Sequence, residues 1–468
     1  MEHRLGNADR PVRIAIVGAG PAAFYAAEAL LKQPDLICTI DFFNRLPTPF
    51  GLVRDGVAPD HQSIKAVTRI YEKIAEHQRV HYYGNVTIGR DLTHADLKQY
   101  YDQIIYAVGA QSDRQMGIPG EDLAGSYPAT AFVGWYNGHC DYSQLTFKLD
   151  HPRVVVIGNG NVAMDVTRIL VRDLAELAKT DIADHALAAL RHSQVREVVV
   201  LGRRGPAQAA FTNAEIKEFG ELAGVDVIVD PAEMQLDEAS EESLAGHRVA
   251  TNNVQILRSF AERAPVGAPR RIVLRFLASP VELIGSAGRV TSVRIERNEL
   301  VPDDRGGLRA QGTGEFELLE AGLVLRSVGY RSIPLAGVPF DEQRAIIPNV
   351  AGRVTQGPGG AVIPGEYVVG WAKRGPSGVI GTNKPDSIAT VASMVADLST
   401  LRGIADERRS PTAIEQLLKA RRSVYFTYQD WKKLDAYELA RGIEQGRPRV
   451  KVTNVADMLK IAGKAHEV

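Results

Sequence analysis

Two segments of the chain carry the same pattern, a short run of valine and isoleucine that leads through Gly-x-Gly-x-x-Ala into a helical pattern. The first covers residues 12–31 and the second covers residues 152–171. Their first glycines, Gly18 and Gly158, are 140 residues apart. A β-branched run followed by such a turn predicts the strand and helix that open a βαβ nucleotide-binding unit. The domain-sized separation indicates two such units rather than a solenoid repeat.

The first glycine turn contains Gly18, Gly20 and Ala23, with Pro21 and Ala22 between them. In such a turn the first glycine permits the sharp bend, the second lets a pyrophosphate approach the backbone, and the small third residue lets the helix pack on the strand. The helix N-terminus then faces the phosphates. Because this unit opens the chain, we assign it to FAD.

A ribose contact is expected at the end of the strand that follows the first turn. The position that usually carries an acid is occupied by Asn44, whose amide can bond a hydroxyl without a charge. Asp41, three residues earlier, is the alternative ribose ligand.

The second glycine turn contains Gly158, Asn159, Gly160, Asn161 and Ala163, and it predicts a second dinucleotide site. The next predicted strand, residues 195–201, ends in Gly-Arg-Arg-Gly. Two guanidiniums in the place of an acid favour the 2′-phosphate of NADPH over NADH, which singles out Arg203 and Arg204. The 45 residues between Gly158 and Arg203 are more than usual, and a helical insertion at residues 175–191 accounts for them.

Two further apolar runs, residues 102–109 and 321–329, end in glycine and read as closing strands of the two units. Glycine- and proline-rich stretches follow them and indicate interdomain crossings. The predicted fold class is α/β, with two Rossmann-like dinucleotide-binding domains, the NADP-binding domain being inserted in a discontinuous FAD-binding domain. The predicted boundaries are 1–115 and 335–468 for the FAD-binding domain and 116–334 for the NADP-binding domain. Residues 400–468 read as a helical C-terminal extension packed on the FAD-binding domain.

Composition excludes several kinds of protein. Lys and Arg total 55 and Asp and Glu total 56, which gives no support to nucleic-acid binding. The two cysteines, Cys38 and Cys140, provide neither a disulfide framework nor a cysteine-ligated cluster nor a redox pair, and no metal site is expected. Cys38 is expected in a buried strand. Without an apolar N-terminal region or a membrane-length apolar run, we predict a cytoplasmic protein with no integral membrane segment.

Several longer motifs resemble those of the adrenodoxin-reductase-type ferredoxin–NADP+ reductases. Residues 49–54 (PFGLVR) and 56–61 (GVAPDH) are similar to the flavin loop of this family. The other similar runs lie at residues 132–137, 158–165, 202–205, 211–215 and 370–380. The resemblance runs from about residue 13 to about residue 397, and residues 446–451 resemble the extension of actinobacterial members.

The resemblance implies a role for each matching position. The residues implied to contact FAD outside the first glycine turn are Gly51, Leu52, Val57, Ala110, Trp371, Gly378, Val379 and Ile380. The residues implied to contact NADP are Asn161, Val162, Arg203, Arg204 and Glu215. The amides of Val379 and Ile380 would face the flavin pyrimidine edge, where a helix start favours negative charge.

Three ionisable residues are candidates for the catalytic group. His61, in Ala-Pro-Asp-His, matches a family histidine near the flavin and could relay protons. Asp165 and Glu215 are the other two, with the alternative that each is an ordinary acid on a helix face.

The predicted function is that of a monomeric ferredoxin–NADP+ reductase, in which hydride passes from NADPH to FAD and single electrons pass to a ferredoxin-type iron–sulfur protein. The iron–sulfur partner follows from the resemblance. A flavin and NADPH monooxygenase or another diaphorase-type reductase is the alternative. A disulfide reductase lacks its cysteine pair here, and a glutamate-synthase-like subunit lacks its cluster cysteines. A nucleotide-sensing module would bind FAD and NADPH without turnover.

Overall fold

The computed structural model describes residues 5–464, apart from residues 305 and 411. The strands of this described part are β1 (Val12–Val17), β2 (Cys38–Asn44), β3 (Val80–Gly84), β4 (Gln103–Tyr106), β5 (Ser112–Asp113), β6 (Ser126–Pro128), β7 (Arg153–Ile157), β8 (Glu197–Leu201), β9 (Val225–Val229), β10 (Arg270–Arg275), β11 (Ala278–Ser286), β12 (Arg289–Pro302), β13 (Leu308–Glu320), β14 (Leu323–Arg326), β15 (Tyr330–Arg331), β16 (Asn349–Val350), β17 (Arg353–Thr355) and β18 (Val362–Val368).

The α-helices of the same part are α1 (Pro21–Leu31), α2 (Leu52–Asp55), α3 (Gln62–Lys65), α4 (Thr68–Ala75), α5 (His94–Tyr100), α6 (Ala129–Asn137), α7 (Asn161–Val171), α8 (Leu174–Leu177), α9 (Asp184–Arg191), α10 (Asn213–Phe219), α11 (Glu238–Ser243), α12 (Arg248–Ala261), α13 (Trp371–Arg374), α14 (Asn383–Asp397), α15 (Ala413–Ala420), α16 (Tyr428–Glu444) and α17 (Val455–Ala462). None of these helices is long and apolar enough to cross a membrane.

The first sheet has seven strands in the order β16-β17-β18-β4-β1-β2-β3. Strands β18, β4, β1, β2 and β3 are parallel, whereas β16 and β17 continue one edge in antiparallel pairing. Central strand β1, with the sequence VRIAIV, is buried along its whole length, as expected for a parallel sheet covered on both faces. Cys38 lies buried at the start of β2, which confirms its prediction.

The second sheet has six strands in the order β6-β14-β7-β8-β10-β9, and all neighbouring strands are parallel. Its strands lie between residues 126 and 326, whereas those of the first sheet lie at residues 12–106 and 349–368. The second unit is therefore inserted in the first, and the predicted fold class is confirmed.

A short antiparallel ribbon, β5 with β15, marks the place where the chain passes between the units. Ser112 pairs with Arg331 and Asp113 pairs with Tyr330, so the outgoing and returning segments run side by side. The boundaries predicted after residues 115 and 334 lie two and three residues beyond this ribbon. The exact boundaries stay a prediction.

A third sheet of three antiparallel strands, β11-β12-β13, covers one face of the second sheet. Apolar side chains from both sheets form a common buried cluster, in which Val199 and Leu201 of β8 lie with Leu283 and Val293. This packing places Asn298 of β12 close to the turn that follows β8, which matters for the second nucleotide site.

The C-terminal extension packs on the first unit, as predicted. Arg54 of α2 donates from Nη1 and Nη2 to the two carboxylate oxygens of Glu438 in α16, at 2.8 and 2.6 Å. Both side chains are buried. The Trp431 ring meets the Phe50 ring edge-on, with 5.8 Å between centroids.

The same extension also packs on the second unit, which the sequence did not indicate. Arg447 donates from Nε to the carbonyl oxygen of Thr180 at 3.0 Å. Lys451 donates to the carbonyl oxygen of Asn137 at 3.0 Å and lies 3.3 Å from the carboxylate of Asp181. The extension therefore packs on both units, because its buried cations bind backbone carbonyls of each.

The Arg54→Met variant is expected to be less stable by about 3 kcal/mol, because it leaves the buried Glu438 carboxylate without its bidentate partner. The nearby Arg449, whose Nη1 lies 3.1 Å from Glu438, limits the loss. Urea unfolding followed by tryptophan fluorescence measures the change. The double variant Arg54→Met/Glu438→Leu is the control, and it is expected to recover part of the loss because the buried Glu438 carboxylate is removed together with its partner. An unchanged urea midpoint in the single variant would contradict the prediction.

Candidate functional site

The two glycine turns have the same local geometry. Gly18 has φ +104° and Gly158 has φ +112°, a conformation that favours glycine. The Gly18 N–H donates to the carbonyl oxygen of Phe43 at 2.7 Å, and the Gly158 N–H donates to that of Leu201 at 2.8 Å. A Cβ on either glycine would overlap a backbone carbonyl oxygen of a neighbouring closing-strand segment. The sharp bend is therefore fixed by sterics in both units.

The second glycine of each turn faces open space. A Cβ built on Gly20 or on Gly160 would meet no atom of the described residues within 4 Å. These two glycines are the N-caps of α1 and α7, with φ −92° and −91°, and neither helix has a side-chain cap. Backbone N–H groups at an uncapped helix start are donors for a phosphate. The geometry fits a pyrophosphate at each helix start. The predicted cofactor-binding residues there are Pro21, Ala22 and Ala23 in the first unit and Asn161, Val162 and Ala163 in the second.

The loop at residues 49–57 lies directly against the first glycine turn. The Phe50 N–H donates to the carbonyl oxygen of Ala19 at 2.8 Å. A Cβ on Gly51 would be only 3.0 Å from the Gly20 Cα. Leu52 begins α2, and its carbonyl oxygen accepts from the Val57 N–H at 2.8 Å. The predicted FAD contacts Gly51, Leu52 and Val57 therefore share one loop beside the turn.

Asn44 lies at the end of β2, as predicted. Its Nδ2 donates to the carbonyl oxygens of Leu46 and Thr48, both at 2.9 Å, so the amide also holds the loop that leads to Phe50. Asp41 is different: it is buried on the strand, and its carboxylate accepts from Arg13, Tyr101 and His81 at 2.7–2.9 Å. These bonds favour Asn44 over Asp41 as the ribose ligand.

The segment at residues 370–380 also lies against the first glycine turn. A Cβ on Gly370 would be 2.7 Å from the Cβ of Ala22. Trp371 begins α13, packs on the Tyr330 ring with 5.2 Å between centroids, and donates from its indole nitrogen to the Ser377 carbonyl oxygen at 3.2 Å. The predicted FAD residues Gly378, Val379 and Ile380 follow in an exposed or half-exposed turn, while Ala110 is buried after β4.

Arg203 and Arg204 lie in the turn after β8, at the same sheet edge as the second glycine turn. The carbonyl oxygens of this turn are held from the third sheet: that of Arg203 accepts from Asn298 Nδ2 at 2.8 Å, and that of Arg204 accepts from the Leu277 N–H at 3.1 Å. Burial and the neighbouring Arg203 charge lower the pKa of Arg204. An anion between two like charges would relieve this repulsion. Asn298 was missed in the sequence, where it is one polar residue in a long strand.

The second glycine turn is also joined to α10. Asn161 accepts at Oδ1 from the Thr212 N–H at 2.9 Å. The Asn159 amide lies beside Gly202, where a Cβ would come within 2.7 Å of its nitrogen. The two asparagines of the turn therefore connect it with the arginine turn and with the helix that carries Glu215.

The three residues proposed for the catalytic group lie in one cluster. His61 Nε2 lies 3.0 Å from a carboxylate oxygen of Glu218, and His61 Nδ1 lies 3.8 Å from Asp165. Glu215 is only 8% exposed and belongs to the same cluster. Asp165 and Glu215 are therefore not ordinary solvated acids of a helix face.

Burial dominates the electrostatics of this cluster. Burial and then the neighbouring Asp165 charge raise the pKa of Glu215 to about 7, while Arg168 opposes the shift. Burial also raises the pKa of Asp165. Both carboxyls therefore bind a proton more readily than a solvated acid does, and Glu215 titrates close to neutral pH.

Arg168, Glu218 and Asp60 complete the cluster, and sequence reasoning missed all three. Arg168 Nη1 lies 3.3 Å from Glu215 and 3.1 Å from Glu218. The only local signal was spacing, because Arg168 follows Asp165 by three residues and Glu218 follows Glu215 by three. His61, Glu215 and Glu218 have side chains that could bind a metal ion and lie close enough together. A guanidinium already contacts both of those carboxylates, so the arrangement is that of an ion-pair network.

The two thiols take no part in this site. Both are free, and burial raises the pKa of Cys38 to about 11 and that of Cys140 to about 12. Neither thiol is therefore ionised near neutral pH, as a reactive cysteine would be.

Comparison with known proteins agrees with this geometry. Residues 12–254 match the pyridine nucleotide-disulphide oxidoreductase family. The NADPH-ferredoxin reductase FprA of Mycobacterium tuberculosis is 49% identical over 460 residues, which cover 97% of this chain and 99% of that protein. The chain belongs to this oxidoreductase family. Within the family it is one of the adrenodoxin-reductase-type ferredoxin–NADP+ reductases, so the resemblance seen in the motifs is confirmed.

One more member of the family and one solved structure extend the comparison. The mitochondrial NADPH:adrenodoxin oxidoreductase of Arabidopsis thaliana is 40% identical, over 97% of this chain and 96% of that protein. The solved structure of M. tuberculosis FprA in complex with NADPH matches with a TM-score of 0.91 and 48% identity, over 97% of this chain and all of that one. The similarity therefore covers more than residues 13–397 and includes the extension, in which the sequence showed only the motif at residues 446–451.

Proposed function

We propose that this chain is an FAD-dependent NADPH:ferredoxin reductase. The observation that carries the proposal is the difference between two otherwise matching glycine turns. The strand after the first turn ends in a neutral Asn44, whereas the strand after the second ends in the pair Arg203 and Arg204. One turn thus suits FAD, and the other suits a nucleotide with a 2′-phosphate.

When bound, FAD supplies the conversion between a hydride taken from NADPH and single electrons given to an iron–sulfur acceptor. The chain's own residues bind and orient. Gly18, Gly20 and the start of α1 would bind the FAD pyrophosphate, and Gly158, Gly160 and the start of α7 would bind that of NADPH.

The remaining site residues would act where the two nucleotides meet. Trp371, with the turn at Gly378, Val379 and Ile380, would border the flavin. His61, Asp165 and Glu215 would hold and release protons, since burial raises the pKa of both carboxyls.

The acceptor part of the proposal is supported by the relatives, which carry the names NADPH-ferredoxin reductase and NADPH:adrenodoxin oxidoreductase. We propose that the partner is a ferredoxin-type iron–sulfur protein, that the reductase acts as a monomer, and that it works in the cytoplasm. We further propose the domain limits 1–115 with 335–468, and 116–334. Light scattering of the purified protein tests the oligomeric state.

The purified protein is expected to be yellow, to lose its flavin absorbance on addition of NADPH, and to reduce cytochrome c with NADPH only when a ferredoxin is present. NADH in place of NADPH is the matched control. Protein without flavin, or without a response to NADPH, would contradict the proposal. Equal cytochrome c reduction without ferredoxin would contradict the acceptor part and leave a general diaphorase.

A further inference from the structure

The Arg168 side chain lies at the junction of the two nucleotide units and is completely buried. It extends from α7, the helix that begins at the second glycine turn. Its Nε and Nη2 donate to the two carboxylate oxygens of Asp60 at 2.8 and 3.1 Å. Asp60 belongs to the first unit and immediately precedes His61. One guanidinium therefore holds the His61 segment against the helix of the other unit.

The same guanidinium also contacts the acids of the second unit. Its Nη2 donates to Asp165 at 2.7 Å, and its Nη1 lies 3.3 Å from Glu215 and 3.1 Å from Glu218. Glu218 is in turn 3.0 Å from His61 Nε2. Asp165 and Glu215 therefore contact Arg168 directly. His61 follows Asp60 in the sequence and contacts Glu218, and Arg168 contacts both of those acids.

The cluster carries more negative than positive charge. Its carboxylates are Asp60, Asp165, Glu215 and Glu218, and its guanidiniums are Arg168 and Arg172, the latter 2.7 Å from Asp60. The charges of His61, Arg168 and Asp60 act on Asp165, and those of Asp165, Arg168, His61 and Glu218 act on Glu215. Tyr136 of α6 and Tyr330 of β15 face the same groups from the neighbouring elements. Within this set, Arg168 is a cation in direct contact with both Asp165 and Glu215.

We propose that Arg168 is a positioning residue of the reductase, which aligns His61 with Asp165 and Glu215 across the junction and sets how readily those two acids give up a proton. The inference rests on the proposed function. It assigns two separable tasks to one side chain. The planar guanidinium, with its several donors, fixes the distances between His61, Asp165 and Glu215. Its positive charge lowers the proton affinity of the two acids, because a nearby cation favours the ionised form of a carboxyl.

Two substitutions separate these tasks. Arg168→Lys keeps a charge but loses the fork, so stopped-flow bleaching of the bound flavin by NADPH is expected to slow by about 10- to 100-fold, with the pH inflection of the rate near its wild-type position. Arg168→Gln removes the charge, which raises the pKa of both acids, so the inflection is expected to move upward by about one pH unit or more.

Arg191→Gln is the matched control. Arg191 is the last residue of α9 in the same unit, is exposed, and takes no part in the contacts of the cluster. This variant loses the same charge but is expected to keep the wild-type rate inflection. Hydrogen exchange gives a readout that does not depend on turnover: residues 58–66 and 213–219 are expected to exchange faster in both Arg168 variants and to stay protected in Arg191→Gln.

Wild-type rate and pH inflection in both Arg168 variants, with unchanged exchange at residues 213–219, would overturn the inference. If the glutamine variant does not hold flavin, the lysine variant decides, and an unchanged bleaching rate in it overturns the inference. Failure of the wild-type protein itself to respond to NADPH would instead refute the proposed function, and the exchange experiment would still decide on the positioning by Arg168.

Discussion

Replacing Arg203 and Arg204 together by alanine is expected to lower kcat/KM for NADPH by roughly 10²- to 10³-fold and to change that for NADH by less than about threefold. Each charge-assisted hydrogen bond to the 2′-phosphate contributes about 1.5–3 kcal/mol, and about 1.4 kcal/mol corresponds to a factor of ten. NADH lacks this phosphate, so it loses nothing from the substitution. Steady-state kinetics with both nucleotides measures the ratio.

The fold of the arginine turn is expected to survive this substitution, because the turn is held through the backbone carbonyls of Arg203 and Arg204 and not through their guanidiniums. Arg191→Ala/Arg196→Ala is the matched control. Both arginines are exposed, Arg196 next to the opposite end of β8 and Arg191 at the end of α9, so their loss changes the net charge equally without touching the proposed site. If the double variant lost NADPH and NADH activity in equal measure, the 2′-phosphate assignment would be wrong.

The Gly20→Val variant is expected to fold but to be purified without FAD, and its activity is expected to fall by at least about 10³-fold because the cofactor carries the chemistry. The φ of −92° at this position suits any residue, and a Cβ there meets no described atom within 4 Å. The new side chain fills only the space through which the pyrophosphate would approach the backbone. The ratio of flavin absorbance to protein absorbance measures the loss.

The symmetry of the two turns provides the control for this variant. Gly160 has the same conformation and the same open space, so Gly160→Val is expected to keep the yellow flavin and to lose the response to NADPH. Gly18→Ala is expected to behave differently again, because its Cβ would overlap the carbonyl oxygen of Ala107 and disturb the fold itself. Wild-type flavin content in Gly20→Val would place the FAD pyrophosphate elsewhere.

The nucleotide-binding turns could be predicted because they are local. Strand, bend and helix start lie within about ten residues of one another, and each constraint acts on a single position: a positive φ at Gly18, open space at Gly20, and close packing at Ala23. The inserted arrangement of the two units also followed, since glycine- and proline-rich stretches mark both crossings. The pairing of those crossings in the β5–β15 ribbon did not follow, because its strands are more than 200 residues apart in sequence.

The residue environments at the junction could not be predicted in the same way. Glu215 reads equally well as a solvated acid of a short helix, and its burial depends on Arg168, His61 and Asp165, which come from two other segments. The extension gives a second example. The pairing of Arg54 with Glu438 joins residues 384 positions apart, and no local pattern distinguishes these two side chains from other surface charges.

The sequence by itself determined the two glycine turns and the arginine pair beside the second turn. Two dinucleotide sites and a 2′-phosphate contact are predicted from them, because those properties depend on glycine conformation and on side-chain charge within single turns. Only the tertiary structure decided which charges become buried together at the junction. Burial in an ion-pair network depends on which surfaces face each other in the folded chain. Burial and the distances between the charged groups together set the proton affinity of Asp165 and Glu215. The two glycine turns thus define which nucleotides bind, and the contacts of Arg168 define how the two nucleotide-binding units are joined.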